Sequence, residues 1–581
     1  MNVSYQHVNP ATGGGSYLLR FRDDAQESTA CLLVDSGSGV DLDAVLGPDE
    51  HLVAALLTHA HLDHYGTLAD SLRDAAPVYA SRATAEVLGD VLSEGEKNYD
   101  IGASDGVLDA LEPLDGWKTV YPGVEVCPVP AGHAPGAAGF VVRFADGNRA
   151  NHLLFTGDFT TRRVGGYPGF STDLPVEVDA LFVNVSTTED FEATLSDSLF
   201  TVAERAHAGS TVLATASALT GVHYAYLLGH LGERVGDPIP VALAGQAAKL
   251  YADLGYDVPN VEAVPVFDDT ADLLERGTVT LAGPEVPVEG SAQRLFDAVK
   301  DDSTATLVQL TGGATEPVET AACTVYDYEV VNHPSEAVVD RTVEELDPLH
   351  VVVGHGPRRA VRSYRGRYDE RFVWASDDDR EQTLYEGGRW SPPPWLSDNA
   401  VQAIRAQDWR STGGRFGDVV EGEVSMPAVA RADDPDLDAE GVDVERFERR
   451  FGRSGGTAPV APESPETPES PETPESAASE APPAEPTGTE LPDSPGDLDE
   501  SFLYEILDRL ESLETAVAGE SSADDSPATG GERVRARVVD GGEDVTLLRL
   551  LDDADLEHGD EVTVTVAVAR DRDPDRDPDR A

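Results

Sequence analysis

The sequence predicts an α/β protein in which one α/β unit interrupts another, followed by an extended linker and a small β-rich end. Three observations carry this. Short apolar runs recur through residues 1–189 and again through 326–410, and most of them end on His or Asp. Between them, residues 190–325 carry longer amphipathic segments that alternate with short strands, as a separate inserted unit would. Residues 455–500 are mostly Pro, Glu, Ser, Thr and Ala, with the near-repeat Pro462-Glu463-Ser464-Pro465-Glu466-Thr467-Pro468, and such a composition cannot bury a core. At 581 residues the chain exceeds one compact core, so two or three folded units are expected.

In the first part, residues 13–21 and 30–35 read as strands separated by a polar turn, the second running into Asp35-Ser36-Gly37. Asp35 fits turn chemistry and a site residue equally well. The apolar run 52–57 reads as a buried strand that delivers Thr58-His59-Ala60-His61-Leu62-Asp63-His64. The whole chain holds 14 His, so three within this one stretch are not an effect of composition. Imidazole with carboxylate is a ligand set zinc favours, and the carboxyl end of a strand is where open α/β sheets place their chemistry. The stretch is expected to be half of a metal site.

Residues 68–76 and 83–96 have helical spacing, and 124–130 reads as a strand that runs into Gly132-His133. The next apolar run, 153–156, leads to Gly157-Asp158-Phe159, and 181–185 is one more strand. In the inserted unit, helices are expected over 195–207 and 221–231 and strands over 211–215 and 240–243. The earlier pattern then returns with Val330-Val331-Asn332-His333-Pro334, a helix over 336–346, and a strand over 349–353 that runs into Gly354-His355-Gly356. Immediately afterwards come Arg358, Arg359, Arg362, Arg365, Arg367 and Arg371, which suit either a solvated helix face or a phosphate-binding rim.

Residues 411–454 form an extension of unassigned structure. Beyond the linker, Leu503, Ile506, Leu510, Leu513 and Val517 within 501–518 are spaced for a short amphipathic helix, suited to homodimerisation or to packing on its own domain. Residues 530–570 alternate like a small β unit.

The balance of 42 Lys+Arg against 108 Asp+Glu gives a net charge of −66. With lysine reduced to Lys97, Lys118, Lys249 and Lys300, the composition looks like that of salt-in halophiles, archaea included. An acidic chain ordinarily argues against a nucleic-acid partner, but multimolar salt shortens the Debye length to about 3 Å or less. Local sign near the site then matters more than global charge. Cys31, Cys127 and Cys323 show no CxxC spacing and read as small buried residues rather than a disulfide framework or a metal site. Residues 1–10 lack a signal-peptide pattern and no apolar run is long enough for a membrane span, so the expectation is a cytoplasmic protein without membrane association.

Asp35, the His59 stretch, His133, Asp158 and His355 come in a set order, each at or just past an expected strand. In this order the chain resembles the metallo-β-lactamase fold superfamily, which implies a four-layer αββα sandwich. The spacing of 355 − 158 = 197 residues between the last two motifs leaves room for an inserted domain. Together with His333 and the His at the last motif, this resembles the β-CASP group of nucleic-acid hydrolases, in its RNA-cleaving branch. The resemblance implies that His59, His61 and His133 bind one zinc ion and that Asp63, His64 and His355 bind a second, with Asp158 bridging. It further implies that Asp63 and Asp158 serve catalysis, that Asp35 orients a ligand histidine, and that His333 acts as general acid toward the leaving 3′ oxygen, a role suited to imidazole. Arg358, Arg359 and Arg362 would be the phosphate-binding part of the Arg cluster. RNA is the implied substrate in processing or decay, with internal and end cleavage both open, and the tail is a candidate site for protein partners.

The chain also departs from the family. Where members carry an acid before Ser-Thr, it reads Asn184-Val185-Ser186-Thr187-Thr188, with Glu189 and Asp190 as candidate substitutes. The Ala-Leu-Gly-Arg stretch becomes Ala218-Leu219-Thr220-Gly221, and His-Ala-Asp becomes His333-Pro334-Ser335. These changes leave the metal ligands untouched and bear on RNA cleavage itself. Two alternatives therefore stand beside a ribonuclease: a hydrolase of a small ester, thioester or nucleotide, and a metal-binding scaffold subunit of an RNA-processing complex.

Overall fold

The computed structural model describes residues 1–23, 28–99, 101–147, 149–313, 315–375, 378–407, 424–452, 536–540 and 546–550. The first of its two units, Met1–Glu463, contains two mixed sheets and one parallel sheet. The first sheet has eight strands in the order Arg389–Trp390, Gln382–Glu386, Asn2–His7, Tyr17–Arg22, Thr29–Val34, Glu50–Leu57, Val78–Ser81 and Leu111–Leu114. The second has seven: Phe372–Trp374, His350–Gly354, Ala180–Asn184, Arg149–Phe155, Ala138–Asp146, Val124–Pro130 and Lys118–Tyr121. In both, antiparallel pairs at one side give way to parallel pairs at the other.

Strand alternation explains how the sheets stack. Leu19, Leu32 and Leu56 of the first sheet share a buried cluster with Phe140, Phe144, Phe155 and Phe182 of the second. Their neighbours of opposite parity, Leu18, Leu33 and Leu57, turn to the other face, where Val87, Leu88 and Val91 of helix Arg82–Asn98 cover them. Both faces of these strands are thus apolar, so period-two alternation appears as a nearly continuous run. The result is an α/β arrangement consistent with a metallo-β-lactamase sandwich.

Strands Ala180–Asn184 and His350–Gly354 are parallel neighbours, with Ala180 opposite His350. The chain between them builds a third sheet of six parallel strands, ordered Val261–Val264, Val241–Ala244, Val279–Ala282, Thr211–Thr215, Ala305–Thr311 and Thr324–Glu329. Helices Phe191–His207, Ala218–Val235, Gln246–Asp253 and Gly290–Val299 accompany it. The additional α/β sheet is therefore an excursion between two adjacent strands of the sandwich.

Several expected elements shift at their ends. The strand expected from residue 13 begins at Tyr17, because Gly13 adopts φ 75° and starts a loop. The helix expected over 68–76 is a single turn, Leu68–Ser71, and Asp74 and Ala75 take positive φ. Residues 330 and 331 lie just past strand Thr324–Glu329 rather than within a strand. All three cysteines are free and buried. None of the described helices is long and apolar enough to cross a membrane. In the second unit, Ser464–Ala581, strands Ala536–Asp540 and Thr546–Leu550 pair antiparallel with Ala536 opposite Leu550. The linker 455–500, the helix 501–518 and the rest of the β unit expected over 530–570 lie outside the described residues.

Candidate metal centre and its cavity

The His59 stretch leaves strand Glu50–Leu57 and closes into the helical turn Leu62–Tyr65, with His61 at its N-cap. This geometry sends His59 and His61 to one side and Asp63 and His64 to the other. Strand Val124–Pro130 brings His133, Arg149–Phe155 brings Asp158, and His350–Gly354 brings His355. Ligand atoms of His59, His61 and His133 lie within 4.8 Å of one another, and so do those of Asp63, His64, Asp158 and His355. A third such group joins His133, Asp158 and His333.

The contacts are those of converging acceptors. His61 Nδ1 lies 3.0 Å from His59 Nε2 and 3.1 Å from His133 Nε2. Nitrogens sharing a tetrahedral zinc at roughly 2.0–2.1 Å sit about 3.3 Å apart, so this spacing fits a metal ion. Asp158 Oδ2 is 3.4 Å from both His64 Nε2 and His333 Nε2, and Asp158 Oδ1 is 3.3 Å from His355 Nε2. His64 Nε2 is buried and has no hydrogen-bond partner among the described residues. The donor set and this orphaned nitrogen both fit a pair of ions.

In His59, His64 and His133 the opposite ring nitrogen is held by the protein. Asp35 Oδ2 accepts from His64 Nδ1–H at 2.8 Å and from Thr58 Oγ1–H at 2.8 Å, and Asp35 Oδ1 accepts from the Thr58 backbone N–H at 2.8 Å. Thr58 Oγ1 in turn accepts from His59 Nδ1–H at 3.0 Å. One carboxylate therefore sets the tautomer of a ligand histidine in each group, leaving Nε2 free for metal. His133 Nδ1–H donates to the Asn332 carbonyl at 2.9 Å, with the same effect. Asp35 and His355 are both held at positive φ, 55° and 52°, so backbone strain sits at the site.

Burial pushes His59 well below the ordinary imidazole range, lowers His61 and His355, and brings His133 down to about 3. Metal ligation requires these neutral rings. Burial alone would raise Asp158, but His355 and His64 beside it hold its carboxyl well below the usual range.

Asn184 and Arg162 contribute in ways the sequence did not reveal. Asn184, next to the Val185 that stands where the family carries an acid, donates from Nδ2 to Asp158 Oδ1 at 2.9 Å. Arg162, four residues past Asp158, donates from Nη2 to Asn332 Oδ1 at 3.0 Å and to the His333 carbonyl at 2.7 Å. The Asn332 side chain donates to the His133 carbonyl at 2.8 Å, so one clasp holds both histidines. The only signal for it in the sequence is Arg162-Arg163 just past the Asp158 motif. The candidate substitutes for the missing acid serve elsewhere. Glu189 Oε1 accepts from the Glu336 backbone N–H at 2.9 Å, and Asp190 occupies the N-cap position of helix Phe191–His207 without a side-chain capping bond.

The Arg cluster divides. Arg365 donates to the Ala375 carbonyl at 2.9 Å, Arg367 pairs with Asp340 at 2.6 Å and with Glu336, and Arg371 pairs with Asp347 at 3.1 Å. Arg358, Arg359 and Arg362 stand exposed on helix Arg358–Ser363, which follows His355. A cavity of about 460 Å³ opens from the metal centre toward the inserted sheet, lined among others by His61, Asp158, Phe191, His223, Glu285 and His333. No Lys or Arg lines it among the described residues.

Residues 13–198 match the profile of the Metallo-beta-lactamase superfamily. A protein of Streptococcus pyogenes named a probable metallo-hydrolase is 30% identical over 211 residues, 34% of this chain and 78% of that protein. A ribonuclease of Thermus thermophilus is 38% identical over 117 residues, 19% of this chain and 26% of the ribonuclease. A hydroxyacylglutathione hydrolase of Yersinia enterocolitica is 38% identical over 92 residues, 14% of this chain and 37% of that enzyme. The matches thus span about a quarter of the ribonuclease and just over a third of the hydroxyacylglutathione hydrolase.

Proposed function

This chain belongs to the metallo-beta-lactamase superfamily, and on that premise we propose that it is a zinc-dependent β-CASP-type ribonuclease that hydrolyses RNA phosphodiester bonds in RNA processing or decay. The observation that carries this reading is the meeting of two ligand groups at Asp158, with the return segment from a separate parallel sheet adding His333 to the same carboxylate. The partial similarity to a ribonuclease points the same way.

In this reading His59, His61 and His133 would hold one zinc ion and Asp63, His64 and His355 the other, with Asp158 shared. Two zinc ions there would supply Lewis acidity, giving a nucleophilic water at neutral pH and neutralising charge on the phosphoryl oxygens. Asp35 keeps the proton of His64 on Nδ1 and, through Thr58, that of His59 on Nδ1. Asn184 fixes one oxygen of Asp158, which restricts how the carboxylate turns. His333 protonates the leaving 3′ oxygen from Nε2. Its main chain, held by Arg162 rather than by a side-chain acid, keeps the ring stacked on His133 at a centroid distance of 5.0 Å. Arg358 and Arg359 would meet the RNA backbone at the rim.

A second reading, hydrolysis of a small ester, thioester or nucleotide, draws on the absence of Lys and Arg from the cavity lining and on the similarity to a hydroxyacylglutathione hydrolase. The two are separated by assaying purified protein in multimolar KCl on labelled RNA with 5′-phosphate or 5′-hydroxyl ends, and on a panel of thioesters. The ribonuclease reading expects RNA cleavage that His59→Ala and Asp158→Asn abolish. Thioester turnover without RNA cleavage at full metal occupancy would reverse the assignment.

A further inference from the structure

We propose that His223, held by Glu440, is the residue with which the inserted unit recognises substrate beside the metal centre. The group it takes is an uncharged hydrogen-bond donor on the nucleotide adjoining the scissile phosphate, a base amino group or a ribose hydroxyl, rather than a phosphate. This assignment rests on the ribonuclease reading.

His223 projects from helix Ala218–Val235 into the cavity that also contains His61, Asp158 and His333. Behind it stands Glu440, 0% exposed, from the segment 424–452 that follows the sandwich. Glu440 Oε2 accepts from His223 Nε2–H at 2.7 Å and from the Gly165 backbone N–H at 2.8 Å, and Oε1 accepts from the Gly166 N–H at 2.7 Å. A buried carboxylate with three charge-assisted donors is rigid. It fixes the proton of His223 on Nε2, which leaves Nδ1 as an acceptor with no protein partner among the described residues.

The surroundings select the ligand. Metal ions would neutralise Asp63 and Asp158, but Glu285 lines the same cavity and among the described residues no Lys or Arg does, so away from the metals a second phosphate meets a carboxylate and no cation. Phe191, Leu219 and Leu310 supply apolar wall against which a base or ribose packs. A cavity of about 460 Å³ is of the size that holds small ligands.

Glu440 acts through His223 and is a positioning residue. Its segment is tied to the loop after Asp158 by the Arg163 N–H donating to the Ala439 carbonyl at 2.9 Å. It is tied to the inserted unit by the Asp443 N–H donating to Ser196 Oγ at 3.0 Å. Between these two anchors Gly441 adopts φ 88°, which disfavours other residues, and a Cβ there would lie 2.9 Å from the Glu192 side chain and 3.1 Å from that of Arg162. Segment 424–452 thus shapes the cavity although it contributes no metal ligand.

The test uses the full chain in multimolar KCl with His223→Leu, His223→Gln and Glu440→Gln. Binding of a short fluorescent RNA is measured by anisotropy in EDTA, where no cleavage occurs. Values of kcat/KM are then measured with metal for that RNA and for bis(p-nitrophenyl) phosphate. We expect His223→Leu and Glu440→Gln to weaken RNA binding at least tenfold and to lower the RNA-to-small-ester ratio of kcat/KM at least tenfold, with partial recovery in His223→Gln. RNA binding and the ratio left unchanged by His223→Leu would overturn the proposal, as would equal losses on both substrates. If Glu440→Gln does not fold, His223→Leu decides alone, because it leaves Glu440 its two backbone donors. A wild-type chain that hydrolyses the small ester but neither binds nor cleaves RNA would overturn the ribonuclease reading, and the recognition claim with it. Normal RNA cleavage unaffected by the variants sinks only the His223 assignment.

Discussion

Replacing Asp35 with Asn is the most informative perturbation of the metal centre, because Asp35 is buried behind the histidines and yet holds the proton on Nδ1 of His64 and, through Thr58, of His59. Its carboxylate accepts from the Thr58 N–H, the Thr58 hydroxyl and His64 Nδ1–H, each at 2.8 Å. An amide in the same space can accept on one side only. Whichever way it turns, an N–H faces a donor, and the relief open to His64 is to move its proton to Nε2, the atom meant for metal. Loss of such a supporting contact typically costs about 10- to 100-fold in metal affinity, roughly 1.4 to 2.8 kcal/mol. The relay through Thr58 to His59 couples the second ligand group, so both sites should weaken. The assay is competitive titration of the metal-free chain against a chromogenic chelator at fixed KCl. Wild-type affinity at both sites in Asp35→Asn would refute the tautomer argument.

Three further outcomes follow from the same geometry. His333→Ala should keep both metal equivalents while kcat on RNA falls about 10²- to 10⁴-fold with little change in KM, as loss of a general acid predicts; equal loss of metal would make His333 a ligand instead. Asn184→Ala should leave folding intact and lower kcat/KM for RNA about tenfold by freeing one oxygen of Asp158, comparable to losing a charge-assisted hydrogen bond of about 1.5 kcal/mol; unchanged kinetics would deny Asn184 its positioning role. His350, which accepts from Trp374 Nε1–H at 2.9 Å, is pushed down to about 3 by burial and by Arg405. Its folded value lies below the unfolded one, so its contribution to stability is complete above about pH 6.5 and is lost as pH falls toward 3, at about 1.4 kcal/mol per pH unit. Denaturant melts between pH 7 and 4 should show a shallower pH dependence in His350→Phe, by one proton; an identical slope would show that the ring is not buried neutral.

The parts of the fold that the sequence makes legible are those where burial imposes a period. Strand Val124–Pro130 and helix Glu336–Leu346 lie where apolar spacing puts them, because each packs a regular face into a core. The residues of the metal centre are legible for another reason: His and Asp at strand ends carry a chemical signature that survives without contact information. Less legible is what a residue does once the chain has turned. The acid missing at Val185 is the feature that stands out in the sequence, yet it is the amide of its neighbour Asn184 that donates to Asp158. Glu189 reads as a substitute for that acid but caps the helix that starts at Glu336. The six arginines past His355 read as one patch, although Arg367 and Arg371 are engaged by acids from helix Glu336–Leu346 and the residue just after it. Segment 424–452 is the least legible, because its hold depends on one buried carboxylate and on main-chain donors distant in sequence, which leave no periodic trace.

The central claim is that Asp158 joins two metal sites into one centre that cleaves RNA. It is tested most directly by adding zinc in steps to the metal-free chain in multimolar KCl and following cleavage of labelled RNA against equivalents bound. The account predicts that activity rises and levels off at two equivalents per chain. A plateau at one equivalent, or two tightly bound equivalents with no cleavage, would contradict it.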